Sequence, residues 1–206
     1  MIYLIRHGQT VLNLEGRYQG RIDSALTPLG VAQAEAVGRR LAELRAAGLD
    51  AADGGEWRLE ASPLGRTREM AGIVGEVAGL GVARIDERLI EAGYGEFEGL
   101  TRPEVDARWP EFAGLTGTFG RAPGGETMEA IYERTRSWLA DHRENGVRTV
   151  AVSHASTGRV IRGLYLGLSL EETRLLETPQ NAFHLLHDGE VTRIETRPLP
   201  SSAPAA

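Results

Sequence analysis

Short apolar runs alternate with stretches of helically spaced apolar residues along most of the chain. Runs at 2–5 and 149–152 have the length and composition of buried strands, and residues 57–61 alternate between apolar and polar like a second strand. Apolar residues three and four positions apart predict helices between these runs. Strands that alternate with helices are typical of an α/β sandwich, in which a mostly parallel central sheet carries helices on both faces. We predict this three-layer architecture for a single domain over 1–197, followed by a disordered tail at 198–206.

The longer helices are predicted from their starts and their apolar faces. Thr27-Pro28 opens the first one as N-cap and first-turn residue, and Gly48 ends it before a surface loop at 49–56. Ser62-Pro63 starts the second, and the third covers about 127–144. The positions expected to face the core, including those of a fourth helix, are Val37, Leu41, Leu44, Met70, Ile73, Val74, Val77, Met128, Ile131, Thr135, Trp138, Leu139, Val160, Ile161, Leu164 and Leu168.

Two further segments are predicted in less detail. Between residues 79 and 124 we expect a short strand before Ile90, a glycine-rich loop at 91–99, and an excursion with one short helix at 104–109. Near the carboxyl end, Asp188-Gly189 is a two-residue hairpin signal between strands at 181–187 and 190–196. Whether this hairpin extends the main sheet stays open.

Polar side chains follow the predicted strands where each one ends. Arg6 and His7 follow the first run, and His154 follows the run at 149–152. In open α/β sheets this carboxyl edge is where ligands bind. Arg6 can fork onto phosphate oxygens while the neutral imidazole of His7 attacks phosphorus, and Arg66 in the second helix can hold the phosphate from another side. Each residue alone is more often a satisfied or exposed polar group, so the prediction depends on the set.

Composition narrows the classes of function. The chain has 206 residues, of which 41% are hydrophobic and 25% charged, as expected for one globular domain. A net charge of -6 argues against a nucleic-acid or anionic membrane surface. The absence of Cys excludes thiol catalysis and Cys-ligated metals. No apolar run reaches transmembrane length and no leader pattern precedes the first strand, so we predict a cytoplasmic protein.

Four separated motifs occur in order between residues 2 and 167. They are Arg6-His7-Gly8-Gln9-Thr10-x-x-Asn13, Ser62-x-Leu64-x-Arg66, Leu89-x-Glu91-x-x-x-Gly95-x-x-Glu98-Gly99, and Ser153-His154. Together they resemble the histidine phosphatase superfamily, the phosphoglycerate mutase-like enzymes. The resemblance implies an enzyme in which a histidine is phosphorylated during turnover.

The resemblance also implies roles for individual residues. His7 is the expected nucleophile, Arg6 and Arg66 bind phosphate, and His154 helps to stabilise the transferring phosphoryl group. Glu91 stands in the position of the proton donor. Its competitors Glu96 and Glu98 are expected to be loop carboxylates, and His142, His184 and His187 to be structural or exposed. Further expected phosphate ligands are Asn13, Gln19, Gly20 and the N–H of Ala155, which stands where the family usually has Gly.

We predict a phosphomonoesterase that forms a phosphohistidine on His7, with Glu91 as proton donor. The alternative within the family is a cofactor-dependent phosphoglycerate mutase. Mutases of the family carry an adjacent arginine pair in the excursion, whereas this chain has the separated residues Arg102, Arg108 and Arg121, which favours the phosphatase.

Two other classes of function are less well supported. A metal-dependent hydrolase would need ligands beside Arg6 and Arg66, which repel a divalent cation. A non-catalytic phospho-ligand-binding module would be expected to lose the nucleophile or the acid, and both are present. We therefore expect no metal and no cofactor, and a small phosphorylated metabolite as the partner, with neither nucleic acid nor membrane. Homo-oligomerisation is left open.

Overall fold

The computed structural model describes residues 1–47, 56–143 and 146–197. Several predictions from the sequence lie outside these ranges. They are the end of the first long helix at Gly48, nearly all of the loop at 49–56, the end of the third long helix at 144, and the tail at 198–206.

The strands of the described residues form one sheet of six, in the order β3-β2-β4-β1-β5-β6. The first four strands in this order run parallel to one another, and β5 runs antiparallel to both of its neighbours, β1 and β6, so β6 points in the same direction as β1. This confirms the α/β fold with a mostly parallel sheet. It also answers the open question about the hairpin, because β5 joins the main sheet beside β1. The strands are β1 (Ile2–Arg6), β2 (Trp57–Ala61), β3 (Arg84–Ile85), β4 (Arg148–Ser153), β5 (Ala182–His187) and β6 (Glu190–Glu195).

Helices cover both faces of this sheet. Side chains of odd-numbered β1 residues pack against the two long helices of one face, and those of even-numbered residues pack against the other face, as the alternation of a strand requires. Each fully buried Val, Leu, Ile or Met contributes about 1.5–3 kcal/mol to stability. The α-helices of the described residues are α1 (Val11–Leu14), α2 (Pro28–Ala46), α3 (Gly65–Ala78), α4 (Arg102–Arg108), α5 (Met128–Arg143), α6 (Ala155–Leu166) and α7 (Leu170–Leu175).

The start of α3 differs from the prediction. The helix begins at Gly65 and not at Ser62-Pro63, because the Ser62 N–H extends the sheet through a 3.0 Å bond to the Val152 carbonyl. A residue before proline also disfavours helical backbone. The N–H groups of Gly65 and Arg66 are capped by the Asp23 carboxylate instead. The two strand-end residues 62 and 63 therefore stay at the edge of the sheet.

Most of the predicted apolar faces are buried, with a few exceptions. Val77 is 37% exposed, although its side chain lies beside Gly38 of α2. Ile73 and Leu164 are partly buried, and Leu168 lies beyond the end of α6. The short helix predicted at 104–109 is α4, which starts earlier because Thr101 and Glu104 form a capping box. Two short helices, α1 and α7, were not predicted because neither shows several turns of periodicity.

None of the described helices is both long enough and apolar enough to span a bilayer.

Candidate active site

Two histidines meet at the carboxyl edge of the sheet, because β1 and β4 are neighbours that end at the same level. Arg6 pairs with Ser153, and the His7 N–H donates to the Ser153 carbonyl at 3.0 Å. The ring centroids of His7 and His154 then lie 5.2 Å apart, edge to face. The two histidines singled out from the sequence therefore share one buried site.

The hydrogen bonds of His7 fix its tautomer. Its Nδ1 lies 2.8 Å from the Gly8 carbonyl, which can only accept, so Nδ1 carries the proton. Its Nε2 keeps the lone pair and accepts from the Nε–H of Arg66 at 3.3 Å. Burial lowers the pKa of His7 well below its usual value, and the charges of Arg6 and Arg66 lower it further. A neutral imidazole whose Nε2 is unprotonated is a nucleophile once the Arg66 N–H turns from Nε2 to the substrate.

Position 8 requires glycine because the start of α2 packs closely against the loop that follows β1. A Cβ at Gly8 would lie 2.4 Å from the Gly30 carbonyl oxygen, and a Cβ at Gly30 would lie 2.1 Å from the Gln9 carbonyl oxygen. Both contacts are with backbone, which cannot move aside cheaply. The two glycines thus let the start of α2 pack directly against the loop that carries the predicted nucleophile.

His154 is held by Ser62 at the end of β2. The Nε2 of His154 lies 2.7 Å from the Ser62 hydroxyl, and within the described chain its buried Nδ1 has no hydrogen-bond partner. Burial lowers the pKa of His154 well below its usual value, and the charge of Arg66 adds to this effect. If Ser62 donates to Nε2, then Nδ1 carries the proton and is a donor available to an anion.

Arg6 is a cation with spare hydrogen-bonding capacity. Its Nη1 donates to the Thr178 carbonyl at 2.6 Å, while its buried Nε has no partner among residues 1–47, 56–143 and 146–197. Burial is the largest influence on its pKa, which falls to about 10, so the group stays charged at neutral pH. Arg6 therefore brings a positive charge and free N–H groups next to His7.

Arg66 is fully buried and almost completely hydrogen bonded. Besides the bond to His7, its Nη1 donates to the Ile22 carbonyl at 2.8 Å and to Asp23 Oδ1 at 3.3 Å, and its Nη2 donates to the Gly20 carbonyl at 2.8 Å. A guanidinium has five N–H groups, and these four acceptors leave one for a ligand. The sequence predicted a cation that clamps phosphate, whereas the structure shows one that also fixes residues 20–23.

Glu91 lies at the amino-terminal end of α6. Its Oε1 accepts from the N–H groups of Ala92 at 2.8 Å and Thr157 at 3.1 Å, and its Oε2 accepts from the Ser156 N–H at 3.2 Å. The first turn of α6 has no side-chain cap from His154, so this carboxylate supplies it from another segment. Glu91 is 6% exposed and faces the same helix end as the predicted phosphate ligand Ala155.

The competing glutamates have other surroundings. Glu96 is exposed. Glu98 accepts from the N–H groups of Tyr94 at 2.9 Å and Arg21 at 3.0 Å, which holds the glycine-rich loop together. Both agree with the expectation that they are loop carboxylates.

The remaining predicted ligands surround the same edge of the sheet. Asn13 caps the short helix α1, and its Oδ1 accepts from the Thr10 N–H at 3.3 Å. Gln19 is 8% exposed, and no described residue bonds to its buried Oε1. Gly20 presents its carbonyl to Arg66. Ala155 is the first residue of α6 and lines a small cavity of about 20 Å³ with Arg6 and His154.

Comparison with known proteins assigns this arrangement to a family. The model of the histidine phosphatase superfamily (branch 1) matches residues 2–194. The chain belongs to the histidine phosphatase superfamily. A probable phosphoglycerate mutase GpmB of Salmonella paratyphi C is 35% identical, over 81% of this chain and 75% of that protein.

Solved structures of similar fold include two mycobacterial proteins. The product of open reading frame Rv3214 of Mycobacterium tuberculosis has a TM-score of 0.74 and 27% identity, with 95% of each chain covered. The mycobacterial glucosyl-3-phosphoglycerate phosphatase Rv2419c, in complex with VO3, has a TM-score of 0.74 and 28% identity, with 89% of this chain and 90% of that chain covered. The proteins similar to this superfamily member thus include a probable mutase and a named phosphatase.

Sequence reasoning missed a loop that supports the site of this superfamily member. The carbonyls of Leu176, Glu177 and Thr178 accept hydrogen bonds from Arg159, Arg162 and Arg6, respectively. The Gln180 side chain donates to the His7 carbonyl and to Asn13 Oδ1. The loop lies beyond residue 167, where the motif resemblance ends. Its contribution is made mostly by backbone carbonyls, and these leave no signal in residue type.

One of the unmatched histidines, His184, lines the small cavity beside Arg6 and His154, whereas His142 and His187 have other surroundings. His142 is buried, and its Nε2 lies 3.0 Å from Glu60 Oε1 while its Nδ1 lies 2.7 Å from the Trp138 carbonyl. Both nitrogens face acceptors, which favours the doubly protonated ring. The other two are His184, which is buried beside Arg162, and His187, which is exposed. In the described part of the chain, no group of three or more His, Asp or Glu side chains could hold a metal ion.

Proposed function

We propose that the protein is a phosphomonoesterase that transfers a phosphoryl group first to Nε2 of His7 and then to water. The single observation that carries this proposal is the state of His7. It is neutral, its Nδ1 proton is fixed by the Gly8 carbonyl, and its Nε2 lone pair lies next to the buried guanidinium of Arg66. This is what in-line attack on a phosphoryl group requires.

The first step forms the Nε2–P bond and breaks the bond from phosphorus to the ester oxygen. Arg6, Arg66 and the Nδ1–H of His154 stabilise the charge on the equatorial oxygens. Glu91 in its protonated form gives its proton to the departing oxygen. In the second step water attacks phosphorus, Glu91 takes back the proton, and the Nε2–P bond breaks. The products are an alcohol and inorganic phosphate.

We infer that the substrate is a small phosphorylated metabolite, because the cations of the site surround one strand edge and the whole chain carries a net charge of -6. Hydrolysis without a bound metal is part of the proposal, since Arg6, Arg66 and His154 supply the donors that a cation would otherwise supply. Activity should therefore persist in EDTA, and activity that EDTA abolishes and a divalent ion restores would contradict this step.

A phosphoglycerate mutase is the second candidate, because a relative 35% identical is named as a probable one. The arginines of the excursion, residues 101–124, favour the phosphatase. Arg102 is committed to the excursion itself, with its Nε 2.6 Å from Asp106 Oδ1 and its Nη groups on the carbonyls of Phe112 and Leu115. The other two excursion arginines, Arg108 and Arg121, are exposed and far apart in sequence.

The test is a phosphatase assay over a panel of phosphomonoesters, run beside a mutase assay with bisphosphoglycerate primer. We expect phosphate release and a phosphoenzyme that is labile in acid and stable in alkali. His7→Ala should abolish both signals, while the matched control His187→Ala, at an exposed ring, should keep them. Turnover by His7→Ala near the rate of the unmodified protein would refute the proposal. Primer-dependent isomerisation without net phosphate release would favour the mutase.

A further inference from the structure

We propose that Gln180 is a positioning residue that orients Asn13 toward the substrate phosphoryl group and anchors the backbone of His7. The inference rests on the proposed function. It concerns a residue outside every motif of the sequence, in the loop that precedes β5. Its basis is a pair of hydrogen bonds from one side-chain amide.

The pairing of β5 with β1 brings Gln180 to the predicted nucleophile. The antiparallel register pairs Leu4 with His184, so the chain before β5 runs back past the end of β1. The ladder ends at this pair, and closer to His7 a side-chain hydrogen bond joins the two segments. The Nε2 of Gln180 donates to the His7 carbonyl at 3.1 Å. The His7 backbone is thus held on one side by Ser153 and on the other by Gln180.

The second bond of Gln180 determines which way the Asn13 amide points. Its Nε2 also donates to Asn13 Oδ1 at 3.2 Å, and the Thr10 N–H donates to the same oxygen at 3.3 Å. These two donors occupy both lone pairs of Oδ1. A flipped Asn13 would set its NH2 group against two donors. Asn13 therefore keeps its Nδ2, which bonds to no described residue, as the free donor for a phosphoryl oxygen.

Both amide protons of Gln180 are used, so loss of the donor affects two acceptors at once. In Gln180→Glu the side chain keeps its size, and a carboxylate oxygen faces the His7 carbonyl and Asn13 Oδ1. The repulsion favours the flipped Asn13, which then offers an acceptor to the phosphoryl group. Loss of one such hydrogen bond corresponds to about a tenfold weaker phosphoryl contact. We expect kcat/KM to fall, and the Ki for orthovanadate to rise, by about this factor.

The deciding experiment is a double-mutant cycle with Asn13→Ala. If Gln180 acts through Asn13, then Gln180→Glu should raise the orthovanadate Ki about tenfold in the unmodified background and less than about twofold in Asn13→Ala. Gln180→Leu removes the donor without adding a charge and serves as a second variant should the first fail to fold. An undiminished effect in the Asn13→Ala background, or a wild-type Ki in both Gln180 variants, would overturn the inference.

Gln33→Ala is the matched control. Gln33 is a buried glutamine that accepts from the Gln9 N–H at 2.8 Å, so it supports the same loop through a hydrogen bond to a residue other than His7 or Asn13. We expect it to lower Tm while the orthovanadate Ki stays within about twofold. A tenfold rise in this control would mean that general loosening of the loop explains the Gln180 effect. Wild-type protein that neither binds orthovanadate nor hydrolyses any ester would refute the proposed function as well.

Discussion

Replacing Glu91 by Gln removes the proposed proton donor while keeping the size of the side chain. The amide oxygen can take the place of Oε1 and keep its bonds to Ala92 and Thr157. The amide nitrogen then faces the Ser156 N–H, where two donors oppose each other. The variant therefore loses both a titratable proton and one hydrogen bond to the start of α6.

The expected loss of stability is moderate. A buried N–H without its partner costs about 1–3 kcal/mol, and the lost negative charge at a helix amino terminus costs about 0.3–1 kcal/mol. For a chain of this size each kcal/mol lowers Tm by about 2–4 °C. The variant should stay folded at 25 °C, so that its rates can be compared with those of the unmodified protein.

The expected loss of rate depends on the leaving group. A positioned acid contributes about 10²- to 10⁴-fold when the departing oxygen is a poorly stabilised alkoxide. Glu91→Gln should slow phosphoenzyme formation by a factor in that range for an alkyl phosphate. For p-nitrophenyl phosphate, whose phenolate leaves without a proton, the loss should be much smaller. Rapid-quench measurement of the phosphorylation step is required, because the same carboxylate acts as a base in the second step.

The control is Glu96→Gln, which changes an exposed carboxylate of the same loop. It should leave both rates and Tm close to those of the unmodified protein. Equal losses in Glu91→Gln for the alkyl and the nitrophenyl ester would refute the proton-donor role, and the carboxylate would then be a structural cap of α6.

Three further predictions address the neighbouring groups. Arg66→Lys should lose at least about tenfold in kcat/KM, because an ammonium with three donors cannot satisfy four separated acceptors; near-normal kinetics would place Arg66 outside the site. If the Ser62 hydroxyl fixes the tautomer of His154, Ser62→Ala should lower the rate of phosphoenzyme formation, whereas Ser62→Thr should keep a rate close to that of the unmodified protein. Equal rates in the two variants would contradict this role. The buried pair His142 and Glu60 should make stability depend on pH. Burial lowers the pKa of His142, but its bonds to Glu60 and to a carbonyl outweigh this effect and raise it above its usual 6.5. A group that binds its proton more tightly when folded contributes fully below pH 6.5, and this contribution is lost as pH rises through the folded pKa. Denaturant titrations from about pH 6 upward should show this loss, and His142→Phe should not, provided that His142 is the group responsible.

Much of the fold follows from local patterns in the sequence. The run at 149–152 contains three apolar residues and no charged one, because β4 lies in the middle of the sheet and is buried on both faces. The start of α2 follows from Thr27 and Pro28, whose side chains satisfy or remove N–H donors at a helix start. Such features depend on neighbours within a few residues, so they can be predicted from the sequence alone.

The sequence also determined which residues meet at the edge of the sheet. His7 and His154 each follow an apolar run, and the carboxyl ends of parallel strands share one edge. Strand order was not needed to expect them at this edge, although their direct contact depends on β1 and β4 being neighbours.

What only the tertiary structure decided is how these groups are held. The acceptors around Arg66 are carbonyls and one carboxylate of residues 20–23, and the partner of His154 is a hydroxyl at the end of β2. Gln180 reaches the predicted nucleophile across 173 positions of sequence. Backbone carbonyls are the same at every position, and a lone Ser or Gln has no periodicity. Their roles arise when the hairpin pairs with β1 and brings distant segments within hydrogen-bonding distance.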